Sequence, residues 1–276
     1  MVRERAPAKL NIVLQVGRPA HGMHPIASLF ASIDLADELE ISEAPPGGAD
    51  AVVCPGVVGE NLAAAALRAF RDRVAGDLPP LEVRIDKRIP VAAGLGGGSS
   101  DAAAALRAAN RIAGSPLDAD ALRGLAHRLG SDVPSQVEPA HAVVTGTGEV
   151  VEPIDLPGVD VVLVPGARGL TAAETYAELD RRGGYRARLD PAPLRRLAGA
   201  GAEDLAAALE NDLEPAAVAL RPEIGQTLDA LRGAGALGAA VSGSGPTCFG
   251  LFAGELLAAR AASLIPDAIV SRLRSP

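Results

Sequence analysis

Between Pro90 and Leu106 the chain reads PVAAGLGGGSSDAAAAL. Glycines at 94, 96, 97 and 98 follow a strand-like run, Leu81–Ile89, and precede a strongly helical run from Asp101. This junction limits the fold more than any other feature. Glycine adopts dihedrals closed to other residues and lets a backbone approach a bulky ligand. N–H groups gathered where a helix begins, at its positive end, suit an anion and phosphate above all. Ser99 and Ser100 add hydroxyls for phosphate, or for a metal bridging two phosphates. The plain alternative is a linker or a close-packed turn. The loop is not GxxxxGK[ST], since no lysine follows its second glycine, nor a GxGxxG placed directly after a first strand.

At 276 residues the chain has room for one large or two ordinary domains. Apolar residues make up 48% and aromatics only 2%, so helices must pack through small side chains. A net charge of −8 argues against a nucleic-acid surface, which needs clustered Lys and Arg. A small nucleotide needs only a local positive site and is not excluded. Cys54 and Cys248 lack metal-ligand spacing and read as two reduced thiols. No apolar run is long enough to span a bilayer, and no leader-like apolar segment opens the chain. The expectation is a cytoplasmic protein that binds neither nucleic acid nor membrane and is a monomer or weak homodimer.

Along the chain, strands are expected at Ala8–Gly17, Ile26–Ile33, Asp37–Ser42 and Leu81–Ile89, with a turn at Arg18–Gly22. Helices are expected at Asn61–Ala75, at Asp101–Ala113, and from Asp118 or Asp120 to Leu129. Ala142–Val150 reads as a strand with a glycine-rich turn. A second pattern begins after Pro157. It has a strand at Val159–Val164 and a helix at Thr171–Asp180 capped by Thr171. Arg181–Arg196 reads as a charged loop running into a short helix. Helices at Ala202–Leu209 and Pro222–Gly233, strands at Gly238–Val241 and Thr247–Phe252, and a helix at Glu255–Leu264 complete it. Strands and helices mix without βα alternation, which predicts an α+β protein rather than a doubly wound sheet.

Several residues stand out beside this scaffold. Lys9 and Asn11, two apart on a strand, share a face, while Leu10 and Ile12 point into the core. An exposed edge-strand lysine is the plain reading. Asp132 in LGSDVP follows a helix stopped by Gly130 and suits an N-cap, with Pro134 in the next turn. His24 in HGMHP reads as a surface loop histidine, and Tyr176 as core packing on the Thr171 helix. Ser242–Phe249, SGSGPTCF, reads as a tight hairpin. Asn61 reads as a helix-start residue and Lys87 as a strand-end lysine.

The wording of these segments carries a resemblance. PxxxGLGGGSSxAA, preceded by IDKRIP (Ile85–Pro90), resembles the ATP-binding loop of the GHMP kinases, the superfamily of galactokinase and of homoserine, mevalonate and phosphomevalonate kinases. The match is closest to the branch whose acceptor is a cytidylyl-bearing alcohol of the non-mevalonate isoprenoid pathway. APAKLN is similar to the family's opening APAKIN, LGSDVP to its GADVP or GSDVP, and SGSGPTCF to its third motif. NDLEP (Asn211–Pro215) is a family signature without chemistry of its own. The motifs run in order from Ala6 to Phe252, and Gly183–Gly199 carries little of the likeness.

The resemblance implies a two-lobed fold. Residues 1–156 form a ribosomal-protein-S5-like lobe that binds ATP, and 157–276 a ferredoxin-like lobe. It implies ATP with Mg²⁺ as cofactors and a small-molecule alcohol as partner. Pro90, Gly94, Leu95, Gly96, Gly97, Gly98, Ser99, Ser100, Asn61 and Lys87 line the ATP site. Asp132 is the base, and Lys9 polarises the acceptor hydroxyl. Asn11, Met23, His24, Tyr176, Gly243, Ser244 and Gly245 line the acceptor site. Met23 stands where the family has a stacking tyrosine, and Ser135–Gln136 where it has bulky apolar residues. Two alternatives stay open: another acceptor such as homoserine, a mevalonate derivative or a sugar, and a nucleotide-binding regulator without turnover. A missing Lys9 or Asp132 would favour the regulator, and both residues are present.

Overall fold

The computed structural model describes residues 1–45, 47–57, 61–74 and 78–274. It resolves into two compact units, each assembled from separate stretches of chain. The first comprises Met1–Ala8, Leu35–Val91 and Gly96–Pro139; the second comprises Lys9–Asp34, Ala92–Leu95 and Ala140–Pro276. The expected division at 156/157 is a single cut in chain order, whereas the units interleave. Two long strands, β1 (Val2–Val16) and β2 (Ile26–Glu43), contribute residues to both. The two strands expected from Ile26 to Ser42 are therefore one continuous strand.

In the first unit, β4 (Leu81–Asp86) pairs antiparallel with β2 and parallel with the short β3 (Ala51–Val53). Helix α1 (Leu62–Arg73) starts where Asn61 Oδ1 accepts the Ala63 N–H at 2.8 Å. The expected helix extended to Ala75, which lies outside the described residues. Helix α2 (Gly97–Ile112) starts four residues before the expected Asp101. Gly96, with φ of 70°, is its N-cap, so Gly97 and Gly98 are already helical. Helix α3 (Ala119–His127) is capped by Asp118, whose Oδ1 accepts from Ala121 N at 2.8 Å. Along α2, Ala102–Ala105, Ala108 and Ala109 are fully excluded from water. They form one core with Ala63, Ala66, Leu67 and Phe70 of α1 and Val83 and Ile85 of β4. The small side chains set the spacing: a larger residue there overpacks at a cost of about 1–3 kcal/mol.

In the second unit, β5 (Ala142–Gly146) pairs antiparallel with the start of β2 and with β6 (Val150–Pro153). Strand β7 (Asp160–Val164) leads to α4 (Ala172–Arg182), which opens with a full capping box. Thr171 Oγ1 accepts from Glu174 N at 3.2 Å, and Glu174 accepts the Thr171 N–H at 2.9 Å. The short helices α5 (Ala192–Arg195) and α6 (Ala202–Ala207) precede β8 (Glu210–Asn211), which pairs parallel with β1. Then come α7 (Glu214–Leu220), α8 (Glu223–Gly233), β9 (Gly238–Val241), β10 (Cys248–Phe252), α9 (Glu255–Leu264) and β11 (Ile269–Arg272). The separate sheet β11-β7-β10-β9 is antiparallel throughout, and its chain order with α8 and α9 is the ferredoxin-like β-α-β-β-α-β. Strands β3, β8 and β11 and helix α7 escape the sequence pattern because they are short and lack clear periodicity. No helix among the described residues is long and apolar enough to cross a membrane.

Candidate functional site

In the second unit three motifs that are far apart in sequence meet. The Lys9 N–H donates to the Leu95 carbonyl at 3.0 Å. Ser242 Oγ donates to the Gly94 carbonyl at 3.0 Å, and the Thr247 N–H to the Ala93 carbonyl at 3.3 Å. Gly94 has φ of 74°, and a Cβ there would lie 2.8 Å from the Gly245 carbonyl oxygen. The two glycine-rich segments thus pack backbone to backbone, which only glycine at 94 permits. A Cβ on Gly243 would meet Asn11 Oδ1 at 3.2 Å and Lys9 Nζ at 3.4 Å, so the second loop also lies against the Lys9–Asn11 pair. SGSGP is therefore more than a hairpin turn.

Lys9 is only 4% exposed, which overturns the reading of an exposed edge-strand lysine. Its Nζ donates to Asn11 Oδ1 at 2.6 Å and lies 4.7 Å from the centre of the Phe30 ring. Asn11 Nδ2 donates to Ser28 Oγ at 2.9 Å, and Ser28 Oγ donates in turn to the Val13 carbonyl. The chain fixes the Asn11 amide, and the amide fixes the ammonium. A buried, oriented cation of this kind suits an oxygen that acquires negative charge.

NDLEP acquires a role here. Asn211 Nδ2 donates to the Val241 and Gly243 carbonyls, each at 2.8 Å, and Asn211 Oδ1 accepts the Leu213 N–H. Asp212 accepts the Val16 N–H at 2.8 Å and holds Arg186 through two bonds of 2.7 and 2.9 Å. The signature anchors the second glycine loop and the end of β1.

Around His24 a second cluster forms. The ring's Nδ1 is 2.9 Å from the Gly17 carbonyl and its Nε2 is 3.2 Å from Asp180 Oδ1. A carbonyl can only accept, so Nδ1 carries a proton. Rather than a surface loop residue, His24 is a well-held ring. Tyr176 lies 5.1 Å from it, centre to centre, and Tyr185 lies 6.4 Å away. Met23 is half exposed, on a turn closed by paired backbone bonds to Ala20. Thr175 Oγ1 donates to the Ser244 carbonyl at 3.1 Å, which ties α4 to the second glycine loop. Tyr185, Asp180 and Arg18 were not singled out by sequence. For Tyr185 the one signal was the scarcity of aromatic residues, which makes each tyrosine informative; Asp180 and Arg18 carried none.

In the first unit the remaining candidates sit around the start of α2. Lys87 Nζ lies 2.5 Å from Asp37 Oδ2 and 2.7 Å from Asp101 Oδ2. Asp37 also accepts the Arg88 and Ile89 N–H groups at 2.6 and 2.8 Å. Burial opposes the charge on Lys87, but the two carboxylates outweigh it and its pKa ends above the ordinary value. Burial raises the Asp101 carboxyl to about 7, opposed by Lys87 and reinforced by Asp37. Asp101 Oδ1 has no hydrogen-bond partner. Lys87 is therefore more than a strand-end lysine, and it is engaged by protein carboxylates. A Cβ on Gly97 would lie 2.9 Å from Ile89 Cγ2 and 3.0 Å from Lys87 Nζ, so the loop backbone rests directly on this group.

Two expectations need correction. Ser100 is fully buried, and its hydroxyl donates to the Pro7 carbonyl at 2.8 Å. It sits on the inward face of α2 and braces the helix instead of presenting a phosphate donor. Asp132 does not cap the turn that follows it. The 3₁₀ turn Pro134–Gln136 has Val133 at its N-cap, and Asp132 serves that turn through its carbonyl, which accepts from Ser135 Oγ at 2.8 Å. Asn61 does what its position suggested and caps α1. Pro90, Gly98 and Ser99 are partly or fully exposed, whereas the Leu95 side chain is buried.

The family description "GHMP kinases N terminal domain" matches residues 61–139, and "GHMP kinases C terminal" matches 187–267. A 4-diphosphocytidyl-2-C-methyl-D-erythritol kinase of Anaeromyxobacter sp. is 43% identical over 277 residues, covering 97% of this chain and 87% of that protein. One from Caulobacter vibrioides is 39% identical and covers 98% and 97%. The crystal structure of a 4-(cytidine 5'-diphospho)-2C-methyl-D-erythritol kinase matches over the whole of both chains, with a TM-score of 0.83 at 33% identity. A homoserine kinase of Cytophaga hutchinsonii, at 17% identity and a TM-score of 0.73, shares the fold alone.

Proposed function

The chain belongs to the GHMP kinases, and from that premise we propose that it phosphorylates a hydroxyl of 4-diphosphocytidyl-2-C-methyl-D-erythritol with ATP. The observation that carries the reading is the packing of the second glycine loop on Gly94 and on the Lys9–Asn11 pair. Gly94–Ser99 supplies backbone N–H groups and a helix start for the nucleotide's phosphates. Asp132 takes the proton of the acceptor hydroxyl, and Lys9 stabilises the oxygen as its charge grows. That oxygen then attacks the γ-phosphorus and ADP leaves. Positioning and charge neutralisation do most of the work in such a transfer.

Magnesium fits as the counter-ion of the nucleotide. Among the described residues no three His, Cys, Asp or Glu side chains gather into a metal cage, and Mg²⁺ is commonly held by substrate phosphates and water. The acceptor assignment rests on the His24–Tyr176 cluster and on kinship along the whole chain. Met23, where a stacking aromatic was expected, is the observation that keeps another alcohol in view.

The deciding experiment measures ADP release with ATP and Mg²⁺ against 4-diphosphocytidyl-2-C-methyl-D-erythritol, homoserine, mevalonate and galactose. Only the first is expected to turn over, with CDP competing against it. Turnover of another alcohol without CDP competition replaces the acceptor. Asp132→Asn is expected to lower kcat by ~10²–10⁴-fold, as loss of a general base does. The melting temperature is measured alongside, so that the rate is compared per folded molecule. A stability loss with an unchanged rate per folded molecule removes Asp132 from the chemistry.

A further inference from the structure

Aromatic side chains are few in this chain, and their placement is uneven. All four phenylalanines, Phe30, Phe70, Phe249 and Phe252, are buried in cores. The two tyrosines are only partly buried, and both flank the one imidazole of His24. They lie nine positions apart in sequence, and both fall outside the two stretches that match the family descriptions, 61–139 and 187–267.

Specific bonds hold Tyr185 where it is. The N–H of its neighbour Arg186 donates to the Val16 carbonyl at 2.7 Å, while the Arg186 guanidinium is gripped by Asp212. This sets Tyr185 beside the Gly17–Arg18 turn, whose Gly17 carbonyl also receives His24 Nδ1. Arg18 then lies over the Tyr185 ring, its guanidinium carbon 5.4 Å from the centre. Such a contact steadies a partly buried ring beside His24.

We propose that Tyr185, steadied by Arg18, is a base-stacking residue that sets acceptor specificity and replaces in space the aromatic surface that Met23 lacks in sequence. The ligand class is a pyrimidine nucleotide ester. A thioether makes a weaker platform for a planar base than a phenol ring does. Tyr185 is the binding residue and Arg18 a positioning residue acting through it. The proposal rests on the cytidylyl reading of the acceptor, and its test separates the two.

With two tyrosines and no tryptophan, ring-¹³C-tyrosine labelling gives two sets of NMR signals, assigned with Tyr176→Phe and Tyr185→Phe. Titration with CDP is expected to move the Tyr185 ring signals upfield. Tyr185→Leu keeps apolar packing and is expected to raise the acceptor KM by about 5- to 150-fold, the range for loss of one base stack. The KM for ATP and kcat should hold. Tyr185→Phe keeps the ring and should stay near wild type. Arg18→Ala should raise the acceptor KM less, and not at all in the Tyr185→Leu background. If CDP moves only the Tyr176 signals, or Tyr185→Leu leaves the acceptor KM unchanged, Tyr185 is a packing residue and the proposal fails while the acceptor reading stands. If neither tyrosine responds and CDP does not compete with the acceptor, the acceptor reading fails and takes the proposal with it.

Discussion

Lys9 and Lys87 are the two lysines of a chain that otherwise carries its positive charge on arginine, and both are withdrawn from solvent. Lys9 is 4% exposed, and the Lys87 side chain 12%. Different groups stand beside each. In the first unit, Lys87 sits between the carboxylates of Asp37 and Asp101, and the loop backbone at Gly97 rests on it. In the second, Lys9 is oriented by the Asn11 amide oxygen and the Phe30 ring face. Two carboxylates clamp Lys87, and a lysine held in that way braces its neighbourhood. Lys9 lies with Asn11 against Gly243, and so beside the second glycine loop. Depth does not distinguish the two; what lies beside each does.

The largest expected effects set the two lysines directly against each other. Lys87→Met leaves two buried carboxylates without their cation and should cost about 3–5 kcal/mol of stability. Lys9→Met should fold, with kcat lowered by ~10²–10³-fold, the scale for losing one donor to a developing oxyanion. Urea midpoints and steady-state kinetics on both variants decide it. The contrast breaks if Lys87→Met keeps its stability and loses only ATP affinity, or if Lys9→Met unfolds.

The charge surplus around Lys87 predicts a pH dependence. Asp101 has a folded-state pKa of about 7 against 3.8 for a free carboxyl, chiefly through burial. Between those values the folded state holds a proton that the unfolded state has released. Stability from this group therefore falls as pH rises through the window, and the full cost stands above it. Asp101→Asn removes the proton. The stability of the wild type relative to this variant should decline from about pH 4 to about pH 7, followed by denaturation at each pH. A difference that stays flat with pH means that Asp101 is not held protonated.

Smaller effects come from the glycine beside each lysine. Gly97→Ala would press a methyl on Ile89 and Lys87 and should cost about 1–3 kcal/mol of stability. Gly243→Ala would press on Asn11 and Lys9 at looser distances, in a backbone with φ of 56°, and should move kcat or the acceptor KM more than the urea midpoint. Equal effects of the two on stability would erase the distinction between the two lysines.

Much of this was legible in the sequence. The helix caps Asn61, Asp118 and Thr171 act within a few residues of themselves, so local spacing pointed to Asn61 and Thr171 and narrowed the third to Asp118 or Asp120. The glycine pattern at 94–98 gave away the loop because few residues tolerate φ near 70°. The start of α2 was misplaced because Gly97 and Gly98 are poor helix formers that tertiary packing holds helical. Ser100 looked like a ligand because sequence does not say which face of the helix turns inward. NDLEP looked silent because its partners lie at Val16, Arg186 and Gly243.

The sequence alone determined the family wording, the order of elements and the residue types available for phosphate and alcohol chemistry. Those follow from local rules: backbone preferences, side-chain periodicity and capping. Only the tertiary structure decided that Lys9 is buried beside the second glycine loop, that Lys87 is clamped, and that both tyrosines flank His24. Each of those facts depends in part on contacts between residues far apart in sequence, as Lys87 with Asp37 and His24 with both tyrosines. The burial and neighbours that set charge, orientation and access there come into being only when the chain closes on itself.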